Sequence, residues 1–547
     1  MKTAWMLGVV GCLAAAVRIA AAQDDLPGPL FSGLGTLQHP VSTRSPRAQR
    51  YFDQGMRLLF GFNHREAIRS FRSAAAVDPE CAMAYWGVAY ALGPHVNKPM
   101  DAGDATAAWQ ALSEAVAHRA RASAAEQEYI SALETRYRRE FTPDRSDLDR
   151  AFAAAMRSLV GRHPDDLDAR TLFAEALMNT MPWDYWTHDR TPKPETGEIL
   201  AALQFVISRD PNHPGANHFY IHAVEAGPNP ESGLPSADRL RGCAPAAGHL
   251  VHMPSHIYMR VGQYHDASES NRLAAKADSE YIRHCRAQGF YPGVYYPHNL
   301  HFLWWAEVFE GRGRDALRTA RQAAEYSLDN ACGPNQALEA PRLRHLPWLT
   351  LVRFGRGDEM LAVPRPPETN DFLVDRALWH FTRGWVLATR HALEGAGNEQ
   401  RQLAEIAGSD AARDLGSPLF PVPGLLAVAD RWLAARVAEA RGDSAGMITA
   451  FEAAVAAEDS IPYMEPAYWP FPVRPAFGAA LLRAGRSAQA EAVFREDLRR
   501  WPRNGWSLFG LEQALSAQAL AEDAAQVHRQ FVEAWRHADA PPDLAWY

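Results

Sequence analysis

Ten of the chain's 21 histidines fall between His213 and His301, under a fifth of its length. Imidazole changes charge near neutral pH and is the commonest metal ligand, so such a cluster points to metal binding or proton transfer. The spacing narrows the choice. His218 and His222 stand four apart, with Glu225 three further on. On a helix these intervals put the side chains on one face, and a helical H-x-x-x-H pair is a pattern used by metal enzymes. His249, His252 and His256 repeat the intervals, and His298 and His301 begin them again.

Seven residues are therefore candidate metal ligands: His218, His222, His249, His252, His256, His298 and His301. Buried imidazoles crowded together are costly unless an ion satisfies them; a polar groove for a peptide or an anion is the other reading. Nitrogen ligation without thiolate suits copper, iron or zinc, with copper highest in the affinity series. Seven histidines exceed the three of a mononuclear zinc site, so one or two ions are expected. Two sets of three resemble dicopper proteins in ligand type alone. Glu225 either completes a set of two histidines and one carboxylate, favouring iron or zinc, or acts as a general base. Tyr258 is close enough in sequence to line a pocket, and His188 sits on a loop from which a proton could be delivered.

The elements that carry these residues are helices in a 34-residue repeat. Counting from Ala48 as position 1, Gly55 falls at position 8, Leu58 at 11, Ala67 at 20, Phe71 at 24 and Pro79 at 32. Counting from Phe471, Gly478, Leu481, Ala490, Phe494 and Pro502 fall at the same six positions. Small residues at fixed places let paired helices approach closely, and proline ends the second helix. The pattern is that of the tetratricopeptide repeat (TPR), and it predicts an all-α TPR-type solenoid, a right-handed superhelix. A Pro-rich stretch at 364–370 is expected to link an N-terminal array, 23–363, to C-terminal repeats, 371–547. Loops rich in aromatics and prolines, 181–194 and 462–472, interrupt the helices and are expected to carry function.

In the same frame, a repeat starting at Gly248 puts His249 at position 2, His252 at 5 and His256 at 9. One starting at Pro297 puts His298 at 2 and His301 at 5. The preceding repeat, framed by Ala237 at position 20, puts His222 at 5 and Glu225 at 8. Resemblance to TPR proteins implies that positions 2 and 5 face the concave groove, so histidines at equal positions in successive repeats are expected to converge there.

The strings Ala216–Glu225 and Gly248–Tyr258, with Phe62–Ala67 and Pro502–Gly510, resemble a family of exported bacterial TPR-repeat proteins. The resemblance spans most of the chain and implies fold and export; it implies no particular reaction. Export agrees with the N-terminus, where Lys2 precedes the apolar run Ala4–Val17 and Ala20–Ala22 supplies a cleavage site, making 1–22 a signal peptide.

Without Lys2 and Arg18, 54 basic residues stand against 64 acidic ones, a charge of −10 that gives no support for a nucleic-acid partner. No segment after the signal peptide is apolar for the length of a membrane span. Cys81, Cys243, Cys285 and Cys332 form no C-x-x-C motif; Cys243 with Cys285 is a possible disulfide. Nucleophile elbow, P-loop and dinucleotide fingerprint are absent. The expectation is a periplasmic or secreted copper or iron oxidoreductase acting on a small organic molecule. The alternatives are a zinc-dependent hydrolase and a non-catalytic scaffold holding metal, peptide or protein in its groove.

Overall fold

The computed structural model describes residues 27–329, 343–416 and 420–547, and among them every regular element is a helix. The signal-peptide segment 1–22 and Cys332 lie outside the described residues. No helix among the described residues is long and apolar enough to cross a membrane. The chain forms two compact units, one of residues 1–228 with 238–250 and one of 229–237 with 251–547. The coil at 364–369 lies inside the second unit.

In the first unit successive helices pack as antiparallel pairs, beginning with Pro46–Phe60 and His64–Val77. Ser45 caps the first, its hydroxyl accepting from the Ala48 N–H, and Pro46 supplies a start that needs no donor. Asn63 caps the second in the same manner. The turn between them passes through Phe62, whose φ of 56° is left-handed. The helix Pro214–Val224 returns across the first helix so closely that a Cβ on Gly215 would stand 2.4 Å from the Phe60 ring.

TPR packing is visible in both units at the same places. A Cβ on Gly55 or Gly87 would meet the Phe71 ring at 2.4 or 2.5 Å, and one on Gly478 or Gly510 would meet Phe494 at 2.6 or 2.2 Å. Each phenylalanine thus fills the space left by a glycine on either side, the interlock expected from the repeat positions. In the second unit, helix pairs run from Pro254–Val261 with Tyr264–Cys285 to Gly505–Ala517 with Ala521–Ala534. Trp305, Trp385 and Trp432 are fully buried within it. Cys243 carries a free thiol, so the pairing with Cys285 does not form; Cys81 is a free thiol as well.

Candidate metal centres

The helix Pro214–Val224 is placed with unusual care. His213 caps it, Nδ1 accepting from the Ala216 N–H at 3.1 Å, so that its Nε2–H donates to Asp168 at 3.0 Å. Asp168 also bonds His39 at 2.6 Å. Burial pushes the Asp168 carboxyl up, but the hydrogen bonds from His213 and His39 outweigh it and hold the acid well below its usual range.

One turn further on, His218 and His222 project with His249 into a shared point. Nε2 of His218 lies 3.1 Å from Nε2 of His222 and 3.2 Å from Nε2 of His249. The tautomers follow from the other ring nitrogens. Nδ1 of His218 is 2.6 Å from the Phe60 carbonyl, which only accepts, so Nδ1 carries the proton. Nδ1 of His222 likewise donates to the Glu225 carboxylate at 2.8 Å. In the neutral rings two nitrogen lone pairs therefore face each other at hydrogen-bond distance, with all three imidazoles at most 2% exposed. That repulsion is relieved by a proton held between the nitrogens or by a metal ion among them. Metal–imidazole bonds of about 2.0–2.1 Å, opened at about 90–105°, place neighbouring nitrogens about 2.9–3.3 Å apart. Ligating histidines commonly donate their second N–H to a carbonyl or carboxylate, as both rings do here.

Aromatic rings close the first centre. Phe62 touches all three imidazoles, with centroid distances of 4.4, 6.0 and 5.3 Å to His218, His222 and His249. Trp183 meets His222 edge-on at 4.9 Å, its indole N–H donating to Asn97 at 3.1 Å. The loop 181–194 therefore reaches the histidines, with Trp186 anchored on the Ala223 carbonyl. Beyond Phe62, His64 and His95 stack face to face at 3.9 Å, and burial pushes the His64 imidazole down to about 3.

The second unit builds a second triad from His252, His256 and His298, whose ligand atoms lie within 4.8 Å of one another. Nε2 of His252 is 2.9 Å from Nε2 of His256. Asn271 donates its amide N–H to the Ala267 carbonyl, which turns its oxygen toward Nδ1 of His252 at 2.6 Å. That nitrogen must then be the protonated one, and Nε2 again offers a lone pair. Phe302 contacts all three rings, at 4.8, 4.6 and 5.1 Å. The loop 462–472 approaches the helix of His256 through Tyr463, over which Arg260 lies at 5.3 Å.

The structure corrects the expected convergence. The helix that carries His218 starts at Pro214, 34 residues before Gly248, so the frame set by Ala237 is displaced by one turn. In the corrected frame His218 and His222 occupy positions 5 and 9, as His252 and His256 do. Each triad thus joins positions 5 and 9 of one repeat to position 2 of the next, His249 or His298, rather than joining equal positions. His301, at position 5 of its repeat, has Trp305 at position 9 and no histidine partner there. It lies outside both triads, stacked on Trp304 at 5.7 Å, with burial and then His345 pushing its imidazole down to about 3.

Among the proposed catalytic residues, Glu225 holds the back of His222. Tyr258 is buried on the helix that carries His256, and His188 is exposed on its loop, outside both triads. Sequence reasoning missed Phe62, Phe302 and Asn271, which touch the rings from turns or helices without any motif. It also missed Asp168, one of three aspartates between 165 and 168, two residues past the Asp166 cap.

No family model and no curated protein matches the chain. It is similar in structure to the APC/C hetero-tetramer Cut9–Hcn1, at 14% identity over 87% of this chain and 79% of that one, with a TM-score of 0.30. It is similar to the human IFIT1 dimer with m7Gppp-AAAA, at 12% identity over 90% of each chain and a TM-score of 0.29. The TPR domain of P58(IPK) matches at 11% identity over 87% of this chain and 99% of that one, with a TM-score of 0.22. At such scores the architecture rests on the helix pairs and the glycine–phenylalanine contacts of this chain itself.

Proposed function

We propose that this chain is an exported helical-repeat metalloprotein whose two histidine triads each hold one transition-metal ion, copper before iron or zinc. One observation carries the reading: Nδ1 of His218, His222 and His252 each lies against a fixed acceptor, which leaves Nε2 as the ligand atom each ring presents to its triad. Three imidazoles and no thiolate match the donor set of copper, and a three-ligand site leaves a position open for substrate.

The finer reading is an oxidoreductase. A bound copper ion would supply one-electron redox chemistry beside the open position. In that reaction a small organic substrate loses two electrons and two protons, and dioxygen takes them up. The chain's own part is to fix the rings, through the Phe60 carbonyl, Glu225 and Asn271, and to exclude water with Phe62 and Phe302.

The test is the metal content of protein purified from its native compartment without chelator, with oxygen uptake followed over a panel of small reductants. Two equivalents of copper or iron with oxygen uptake are expected. Two equivalents without uptake would leave a metal-holding scaffold, and zinc alone would move the reading to hydrolysis. Protein with no stoichiometric metal would end the metal reading and leave a groove for peptides.

A further inference from the structure

Independently of the metal reading, we infer that the second unit contains a peptide-binding site. It is held by the chain's own segment 539–547 and also takes extended segments with two adjacent aromatic residues from another molecule. Segment 539–547 contributes a single helical turn, Leu544–Trp546, capped by Asp543, whose side chain accepts from the Ala545 N–H at 2.9 Å. It runs across successive helix pairs of the unit. The Asp539 N–H donates to the Gly311 carbonyl at 3.1 Å, and the Asp539 carboxylate accepts from the Arg314 N–H at 2.7 Å. Further on, two arginines grip consecutive carbonyls. Arg436 donates to that of Ala545 at 2.9 Å, and Arg483 to that of Leu544. One carboxylate, Glu439, fixes both arginines from behind, at 2.9 and 2.6 Å.

These contacts read main chain, which every peptide offers. Selection falls to the aromatic pair. Trp546 lies where two glycines leave room: a Cβ on Gly355 or Gly357 would stand 3.1 or 3.0 Å from its indole. Tyr547 is fully buried, its hydroxyl donating to the Trp506 carbonyl at 2.8 Å and its ring meeting Trp506 edge-on at 5.4 Å. The Arg353 guanidinium, 2% exposed, lies 5.0 Å from the Tyr547 ring and 3.8 Å from that of Trp506. Aromatic faces thus stabilise this buried cation, and an aliphatic residue in place of Tyr547 would withdraw one of them. Leu544, Ala545 and Trp546 all keep part of their surface exposed, so the segment lies on the unit rather than within it. Two clamped carbonyls and one deep aromatic anchor are the parts of a peptide site, and the tether supplies its ligand at about millimolar effective concentration.

The measurement uses the full chain with a protease site inserted between Ala540 and Pro541, both exposed. The protein is folded intact, cut, and freed of the released fragment by gel filtration. A labelled synthetic peptide of residues 539–547 is then titrated into cut and uncut protein, followed by fluorescence anisotropy. One peptide should bind per cut chain. Binding to uncut protein should be about 100-fold weaker, because the tethered segment competes. Tyr547→Leu in the peptide should weaken binding by about tenfold or more, and Tyr547→Phe by less. Arg483→Gln in the cut chain should weaken it by about tenfold, through loss of a charged hydrogen bond. The inference is overturned if the cut chain, folded by its melting curve, takes up no peptide, or if cut and uncut chains bind it equally. It is overturned as well if the fragment neither leaves nor exchanges with excess peptide, or if its release unfolds the chain, since 539–547 is then part of the fold. A Tyr547→Leu peptide that binds as tightly as the native one would remove the aromatic selection.

Discussion

The two triads share their ligand positions and are supported in different ways. Phe62, behind the first, sits in an inter-helix turn with φ at 56°, whereas Phe302, behind the second, is an ordinary residue of the helix Tyr296–Phe309. Trp183, which meets His222 edge-on, is also left-handed, at 63°. For bulky side chains each such conformation costs on the order of 1–3 kcal/mol and persists only where its surroundings enforce it. The left-handed phenylalanine and tryptophan of the described chain both press on the first triad. The second is assembled from regular helix faces with no comparable backbone strain. One ligand pattern has thus been placed on two different foundations, and only the first is shaped by strain.

The comparison breaks most completely at the ligands. His222→Ala should abolish one of two bound ions and keep the other, and His256→Ala should do the converse. Metal analysis of each variant after loading and desalting checks this. If either substitution empties both sites, the triads are not separate centres. His301→Ala should retain both ions, since Trp305 leaves it without a partner at the ninth position.

A smaller effect is expected behind the ligands. Phe62 and Phe302 are at most 1% exposed, and truncation of a core phenylalanine to alanine costs about 3–5 kcal/mol. Phe62→Gly should lose less than Phe62→Ala, because alanine keeps the Cβ that strains a left-handed residue and glycine does not. Phe302→Gly should lose more than Phe302→Ala, because glycine weakens a regular helix. Denaturant unfolding of the four apo variants compares them, and a larger loss for Phe62→Gly than for Phe62→Ala would remove strain as the distinction between the sites.

Much of this architecture was legible before the structure. The glycines at 55 and 478 and the phenylalanines at 71 and 494 announced their contact, because a Cβ at either glycine has no room beside the ring. Four of the seven proposed ligands, His218 with His222 and His252 with His256, pair because helical spacing places i and i+4 on one face, and His249 and His298 complete the triads from the next repeat. The way they are shared between repeats was not legible. It depends on where each helix starts, and the start at Pro214 was hidden by a repeat lacking a strong signature. The roles of Asn271 and Phe62 were out of reach for a related reason: each acts across a contact between different elements, which the periodicity within one helix does not encode.

The smallest expected effect concerns pH, where the two units pull in opposite directions. In the first, burial depresses the His64 imidazole to about 3, below the unfolded value of 6.5. The unfolded chain then binds more protons between those values. His64 thus contributes stability that is present above pH 6.5 and lost as pH falls toward 3. In the second, burial pushes the Glu458 carboxyl up to about 8 from 4.5, although it accepts from the Val473 N–H at 3.1 Å. There the folded chain binds more protons, so the contribution is full below pH 4.5 and lost as pH rises through 8. Melting of the apo-protein between pH 5 and 8 should therefore change on substitution in opposite senses. His64→Gln should relieve the loss on the acid side, and Glu458→Gln should relieve the loss on the alkaline side. The two substitutions lie in different units, so the shifts should add in the double variant. A shift of the same sign from both would show that burial does not set these two groups apart.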